Sequence, residues 1–196
     1  MHIDSLRGEV RRLLLAHGYA RIYEHSVLVT REAARLAERF GEDLAAAEAA
    51  ALLHDIGAAV PEAERAGFLA SRQIAVLEEE ARLPLILHQK VSRVLAGEMF
   101  GVQDAAVLDA VGCHTTLRPD ASRLDMVLFV ADKLAWDQPG TPPYREAVLK
   151  GLDASLEAGA YAYIGYLLDN RAALKVVHPW MEAAWWARAE ARPYIE

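Results

Sequence analysis

Cysteine is almost absent from this chain: of 196 residues only Cys113 carries a thiol. One thiol excludes an intramolecular disulfide and fits a reducing compartment. Long apolar runs are missing too. The N-terminal run Leu13-Leu14-Leu15-Ala16 is short and follows Arg11-Arg12 within an amphipathic stretch, so no secretory leader is expected. Nothing elsewhere is long enough to cross a bilayer, and a cytoplasmic location without a membrane partner is the expectation. Positive charge is in deficit: 21 Lys and Arg face 28 Asp and Glu, a net charge of −7. That balance counts against nucleic acid as partner. A small phosphorylated substrate stays open, because bound cations reverse the local field. Also missing are a GxxxxGK[ST] loop, a GxGxxG turn, an HExxH helix and a GxSxG elbow, with the chemistries they serve. Period-two alternation is lacking, and with it any convincing strand pair or repeat.

What remains is 54% apolar and 25% charged, a globular composition long enough for one domain with a substantial core. Nearly every segment has helical periodicity, which predicts an all-α fold, a helical bundle of at least seven helices without a sheet. Helices are expected over 4–16, 20–40, 43–56, 88–100, 104–115, 122–136, 144–169 and 179–190. Shorter pieces around Gly67 should fill 62–82. The segment Asp137-Gln138-Pro139-Gly140-Thr141-Pro142-Pro143 is the clearest loop.

The histidines follow the apolar stripes of these helices. His25 lies four residues before Val29 and eleven before Leu36, in phase with Ala33, Ala37 and Phe40. His54 and Asp55 continue a face built by Leu44, Ala47 and Ala51. His88 precedes Val91, Leu95 and Met99, His114 follows Val107 and Val111, and Asp132 comes four after Leu128. A single histidine on an apolar face is usually a satisfied core residue. Five helices each delivering an imidazole or a carboxylate inward is a different matter, because such groups are costly to bury unless paired or ligated, and bundles build metal sites in this way. Mixed nitrogen and oxygen ligands suit iron, manganese or zinc better than calcium. Arg21 and Lys133, a turn or less from a candidate ligand, could touch phosphate or be solvated charges. Cys113 is expected to be packing. Tyr161, Tyr163, Tyr166, Trp180, Trp185 and Trp186 are read as core or subunit contacts, with stacking on a nucleotide base as the alternative.

His25, the run Ala51-Leu52-Leu53-His54-Asp55-Ile56-Gly57 and the late Ala131-Asp132 together resemble the signature of the HD phosphohydrolase superfamily. His88 and His114 are similar to the additions of its dinuclear branch. More narrowly, Arg21 four before His25, His114-Thr115-Thr116, Val127-Leu128-Phe129-Val130-Ala131-Asp132-Lys133 and Val177-His178-Pro179 resemble the YqeK family of symmetrical diadenosine tetraphosphate hydrolases. The resemblance implies one HD domain over 1–196, with its core at about 18–138 and helices of 142–190 packed on it. It implies a dinuclear divalent metal cofactor, iron first and manganese or zinc next. The metal ligands are then His25, His54, Asp55, His88, His114 and Asp132, with Asp55 bridging and with Asp55 and His54 catalytic. Arg21, Thr115 and Lys133 become the substrate contacts, and the substrate a nucleotide or dinucleoside polyphosphate, with diadenosine tetraphosphate cut to two ADP. A homodimer is possible on this reading. The chain departs from the family in having Ala58 where a lysine is common after the His-Asp pair, Leu117 where a glycine follows His-Thr-Thr, and Ala135-Trp136-Asp137 where a Glu-Pro is usual. Another HD phosphohydrolase activity, or a non-catalytic metal-binding role, therefore stays open.

Overall fold

The structure is a computed structural model that describes residues 3–190. Within them the chain forms eleven α-helices and no strand. They are α1 (Ile3–Ala16), α2 (Ala20–Phe40), α3 (Leu44–Leu53), α4 (Arg65–Ala70), α5 (Glu78–Arg82) and α6 (His88–Glu98), then α7 (Ala105–Cys113), α8 (Arg123–Leu134), α9 (Arg145–Ala154), α10 (Leu156–Asp169) and α11 (Pro179–Glu190). Short 3-10 turns at Ile56–Ala59 and Pro84–Leu87 lead out of α3 and into α6. No single helix among the described residues is long and apolar enough to cross a membrane.

The all-helical reading therefore holds, with three local corrections. The expected helix 43–56 stops at Leu53, and His54-Asp55 occupies a turn before the 3-10 segment. The expected helix 144–169 is two: Ser155 is extended at φ −166° and ψ 167°, and its hydroxyl accepts the Ala158 amide at 3.0 Å, starting α10 afresh. Leu44 and Met99, assigned to inward faces, are 40% and 57% exposed. Both lie at helix ends, where a stripe drifts off the core.

The buried stripes otherwise meet as their periodicity implies. Val29, Ala33, Leu36 and Ala37 of α2 and Ala47, Ala50 and Ala51 of α3 are fully buried, so small side chains let these two helices pack closely. Helix α8 is covered almost all round: Leu124 to Ala131 are buried without a break. It touches α2, α3, α7 and α10, and so carries Asp132 through the middle of the molecule. Cys113 is buried, as its packing role required, and burial pushes its thiol pKa up.

Two backbone features hold the central helices in register. Gly57 sits where a Cβ would lie 2.4 Å from the His88 carbonyl and 2.8 Å from the Ser92 amide nitrogen and hydroxyl. Its own amide donates to Ser92 Oγ at 2.8 Å. The absence of a side chain thus lets the turn after Asp55 lie directly on α6. Leu117 has φ +56°, the left-handed conformation in which a glycine commonly ends a helix, and its amide closes on the Cys113 carbonyl at 2.7 Å. The departure from the family's glycine is a strained leucine whose side chain is completely buried. The strain costs about 1–2 kcal/mol, and burial of a leucine returns about 1.5–3 kcal/mol.

His178 explains a motif that sequence alone left without a role. Its Nε2 lies 3.2 Å from Glu80 Oε1, while Glu80 Oε2 accepts from Lys90 Nζ at 2.6 Å. All three residues are buried, and together they tie the segment before α11 to α5 and α6.

Gly57→Ala should destabilise the protein by about 1–3 kcal/mol or more, because backbone rather than a flexible side chain meets the new methyl. A scan of thermal unfolding should show a loss of roughly 2–4 °C per kcal/mol for a chain of this size. An unchanged melting temperature would mean that the turn and α6 are not in this contact.

Candidate metal centre

His54 and His114 occupy the same local position: each is the residue that ends its helix, α3 or α7. There the carbonyl three residues earlier is free of helical bonding, and the imidazole folds back onto it. His54 Nδ1 lies 2.7 Å from the Ala51 carbonyl and His114 Nδ1 lies 2.8 Å from that of Val111. His88, which follows the 3-10 turn, does the same with the Leu85 carbonyl at 2.7 Å. A carbonyl only accepts, so each Nδ1 must donate. Nε2 is then the free position of each ring, open to a proton or a cation, and all three Nε2 atoms point to one place.

Between them stands Asp55. Its Oδ2 is 3.3 Å from His54 Nε2, while its Oδ1 is 3.2 Å from His88 Nε2 and 3.6 Å from His114 Nε2. Asp132, from α8, puts Oδ1 3.0 Å from His25 Nε2 and 3.6 Å from His54 Nε2. The six residues expected to converge do converge. Five of them form two donor groups that share Asp55, one with His25 and His54 and the other with His88 and His114, and Asp132 stands beside the first.

The fit to metal ions rests on three observations. The Nε2 atoms of His88 and His114 are 3.0 Å apart. With both Nδ1 atoms donating to carbonyls, two lone pairs face each other, and only a proton or a cation between them makes that favourable. His54 Nε2 is fully buried and makes no hydrogen bond, although two carboxylates lie within reach. Donors bound at about 2.0–2.2 Å to one ion stand about 3.0–3.6 Å from each other in octahedral or tetrahedral geometry, the same range as the separations above. The donors are imidazoles and carboxylates, a set suited to divalent cations.

Electrostatics agree with a demand for positive charge. Burial opposes ionisation of Asp55, yet His54, His114 and His88 hold its carboxyl well below the ordinary range. Burial likewise opposes charge on Asp132, and Lys133, His25 and His54 outweigh it. His54 loses basicity through burial, but Asp55 and Asp132 raise it to about 10. His114, with burial dominant and His54 and His88 adding to it, falls to about 4. His54 is thus the proton holder and His114 a neutral donor, and the proton on His54 marks where a cation would substitute.

Of the expected substrate contacts, Arg21 is exposed and lines a cleft of about 310 Å³ that opens over His25 and Asp55, with Ile22, Asp137 and Gln138. Thr115 Oγ1 reaches both His88 Nε2 and His114 Nε2 at 3.2 Å. Lys133 is placed differently: Nζ pairs with Asp132 Oδ2 and reaches the His114 carbonyl at 3.4 Å. Its charge lies beside the carboxylate, and phosphate contact would require leaving that pair.

No aromatic residue lines the cleft. Tyr163 and Tyr166 pack on Tyr144, and Trp180 lies against Lys90 and His178, in line with a packing role. Two residues of consequence escaped the sequence reading. Buried Gln89 accepts the Thr115 amide at 3.1 Å and donates to Thr116 Oγ1 at 3.2 Å, fixing the loop that carries Thr115. Asp137, read only as loop, faces His25. Gln89 lies off the Val91 and Leu95 stripe, and nothing local signals either residue.

Because His54 carries a proton below about 10 and must shed it to bind an ion through Nε2, uptake of a divalent ion at neutral pH should release close to one proton. Titration calorimetry of zinc into chelator-stripped protein should give a binding enthalpy that changes with the ionisation enthalpy of the buffer. Affinity should fall as pH is lowered, since protons then compete. Buffer-independent enthalpy would contradict the assignment.

The HD domain family model matches residues 22–137, which spans α2 through α8 and all six converging residues. A symmetrical bis(5'-nucleosyl)-tetraphosphatase of Bacillus subtilis (strain 168) is 33% identical over 160 residues, 80% of this chain and 82% of its own. A Lactococcus lactis subsp. cremoris protein, described only as lying in the pepC 5' region, is 40% identical over 132 residues, 67% of each chain. A crystal structure from Clostridium acetobutylicum, described as a predicted HD superfamily hydrolase involved in NAD metabolism, superposes with a TM-score of 0.83 at 23% identity, covering 94% of this chain and 97% of its own. That last likeness confirms the fold. With a family match over more than half its length, and with its His-Asp pair at the centre of the site, the chain belongs to the HD domain family of phosphohydrolases.

Proposed function

We propose that this protein hydrolyses dinucleoside polyphosphates symmetrically, with diadenosine tetraphosphate as first substrate and two molecules of ADP as products. The observation that carries the reading is the position of Asp55, one oxygen toward His54 and the other toward His88 and His114, at the floor of an open cleft. The Bacillus subtilis relative, similar over four-fifths of both chains, bears the name of that activity.

On this reading His25, His54, Asp55 and Asp132 hold one divalent ion, and Asp55, His88 and His114 hold the second. Iron is the first choice and manganese or zinc the next. Bound ions of this kind activate water near neutral pH and neutralise phosphate oxygens. The chain's own groups do the rest. Three backbone carbonyls lock three imidazoles with Nε2 inward, so no reorganisation is needed when substrate arrives. Lys133 keeps Asp132 ionised. The Thr115 hydroxyl, near both His88 and His114, donates to an oxygen of the central phosphates, and Arg21 at the rim binds a flanking phosphate. Bound ions would also screen the departing nucleoside diphosphate, so that no dedicated acid would be needed. The single-domain organisation, with the helices after residue 142 as a buttress, belongs to the same proposal: α10 packs on α8 and so backs the helix that carries Asp132.

The test is product analysis. Protein loaded with iron or manganese should convert diadenosine tetraphosphate to ADP alone. Asp55→Ala should lower turnover by at least a thousandfold, on the order of 4 kcal/mol in barrier, while circular dichroism stays helical. ATP with AMP would indicate asymmetrical cleavage, and full turnover by Asp55→Ala would remove the centre from the chemistry.

A further inference from the structure

His25 differs from the other three imidazoles in one respect. His54, His88 and His114 each rest Nδ1 on the carbonyl three residues earlier. For His25 that carbonyl belongs to Ile22, and His25 lies inside α2 rather than at an end. The Ile22 carbonyl is committed to the helix and also accepts the Ser26 hydroxyl at 3.0 Å. His25 Nδ1 is consequently buried with no hydrogen-bond partner.

The carboxylate that faces it is Asp137. Oδ2 of Asp137 lies 3.9 Å from His25 Nδ1, and Oδ1 accepts from Gln138 Nε2 at 3.0 Å, which leaves Oδ2 turned toward the ring. The separation exceeds a direct hydrogen bond. Asp137 is exposed on the loop after α8, so its side chain has room to turn toward the ring.

We infer that Asp137 is the positioning residue for His25: it accepts the Nδ1 proton and so fixes the tautomer in which Nε2 is free to bind a cation. This inference rests on the metal-centre reading above. The tautomer argument is direct. Without a cation, His25 Nε2 can donate to Asp132 Oδ1 at 3.0 Å. With a cation on Nε2, the ring proton must sit on Nδ1, where no carbonyl is available to receive it. A carboxylate there supplies the missing acceptor and makes the ring a stronger donor to the ion. The first helix of the site thereby obtains from a distant loop what the other three histidines obtain from their own backbone.

The experiment uses the full chain, stripped with chelator and titrated with zinc. Asp137→Ala should weaken binding at the His25 side by roughly ten- to a hundredfold and leave the His88 and His114 side unchanged. Asp137→Asn keeps an acceptor oxygen without the charge and should fall between Ala and wild type. Nitrogen-15 spectra of the zinc-loaded protein should place the His25 proton on Nδ1 and show it exchanging slowly in wild type and fast in Asp137→Ala. The carboxylate is 31% exposed, so the stripped variants should melt as the stripped wild type does. Wild-type zinc affinity in Asp137→Ala, with an unaltered His25 signal, would overturn the inference and leave the metal centre standing. Wild-type protein that takes up no zinc would overturn both.

Discussion

The structure turns on how one carboxylate is held. Asp55 presents its two oxygens to different imidazoles, and nearly everything around it secures that pose. The chain leaves α3 at Leu53, so the His-Asp pair falls in a turn before the 3-10 segment, and both side chains reach one site. That turn is pressed onto α6 through the bare Cα of Gly57, which brings His88 beside Asp55. A larger residue after Ile56 would hold the turn off, and the two donor groups would no longer share a carboxylate.

Strain and burial are spent on the same object. Leu117 accepts a left-handed backbone to end the helix that presents His114, and it recovers the cost by complete burial. His54 and His114 end their helices because only there does a carbonyl come free to orient the ring. Helix α8 is enclosed on nearly every side so that Asp132 can be delivered to the centre with Lys133 beside it. Charges this deep are tolerated only as a set, which is why the pKa values diverge and why a cation completes the arrangement.

Much of this was legible in the sequence, for identifiable reasons. Helical periodicity placed α1, α2, α6, α7, α8 and α11 to within a residue or two, because their apolar stripes are long. The six donor residues lay in phase with those stripes, and phase is what a sequence displays directly. What stayed hidden depends on contact rather than phase. The break at Ser155 is a matter of two strong helices meeting at a corner. The roles of His178, Gln89 and Asp137 arise from partners 98, 26 and 112 residues distant, through separations that no local pattern encodes. The Lys133 pairing with Asp132 was hidden for a similar reason: the adjacent charges could have pointed apart.

The measurement that bears most directly on the central claim is the position of bound metal. Crystals of the protein grown with manganese, with anomalous data collected at a wavelength that identifies the ion, should show two peaks about 3.5–4 Å apart. One should lie among His25, His54 and Asp132, the other beside His88 and His114, with Asp55 between them. A single peak touching neither oxygen of Asp55, or two peaks that do not share it, would contradict the account.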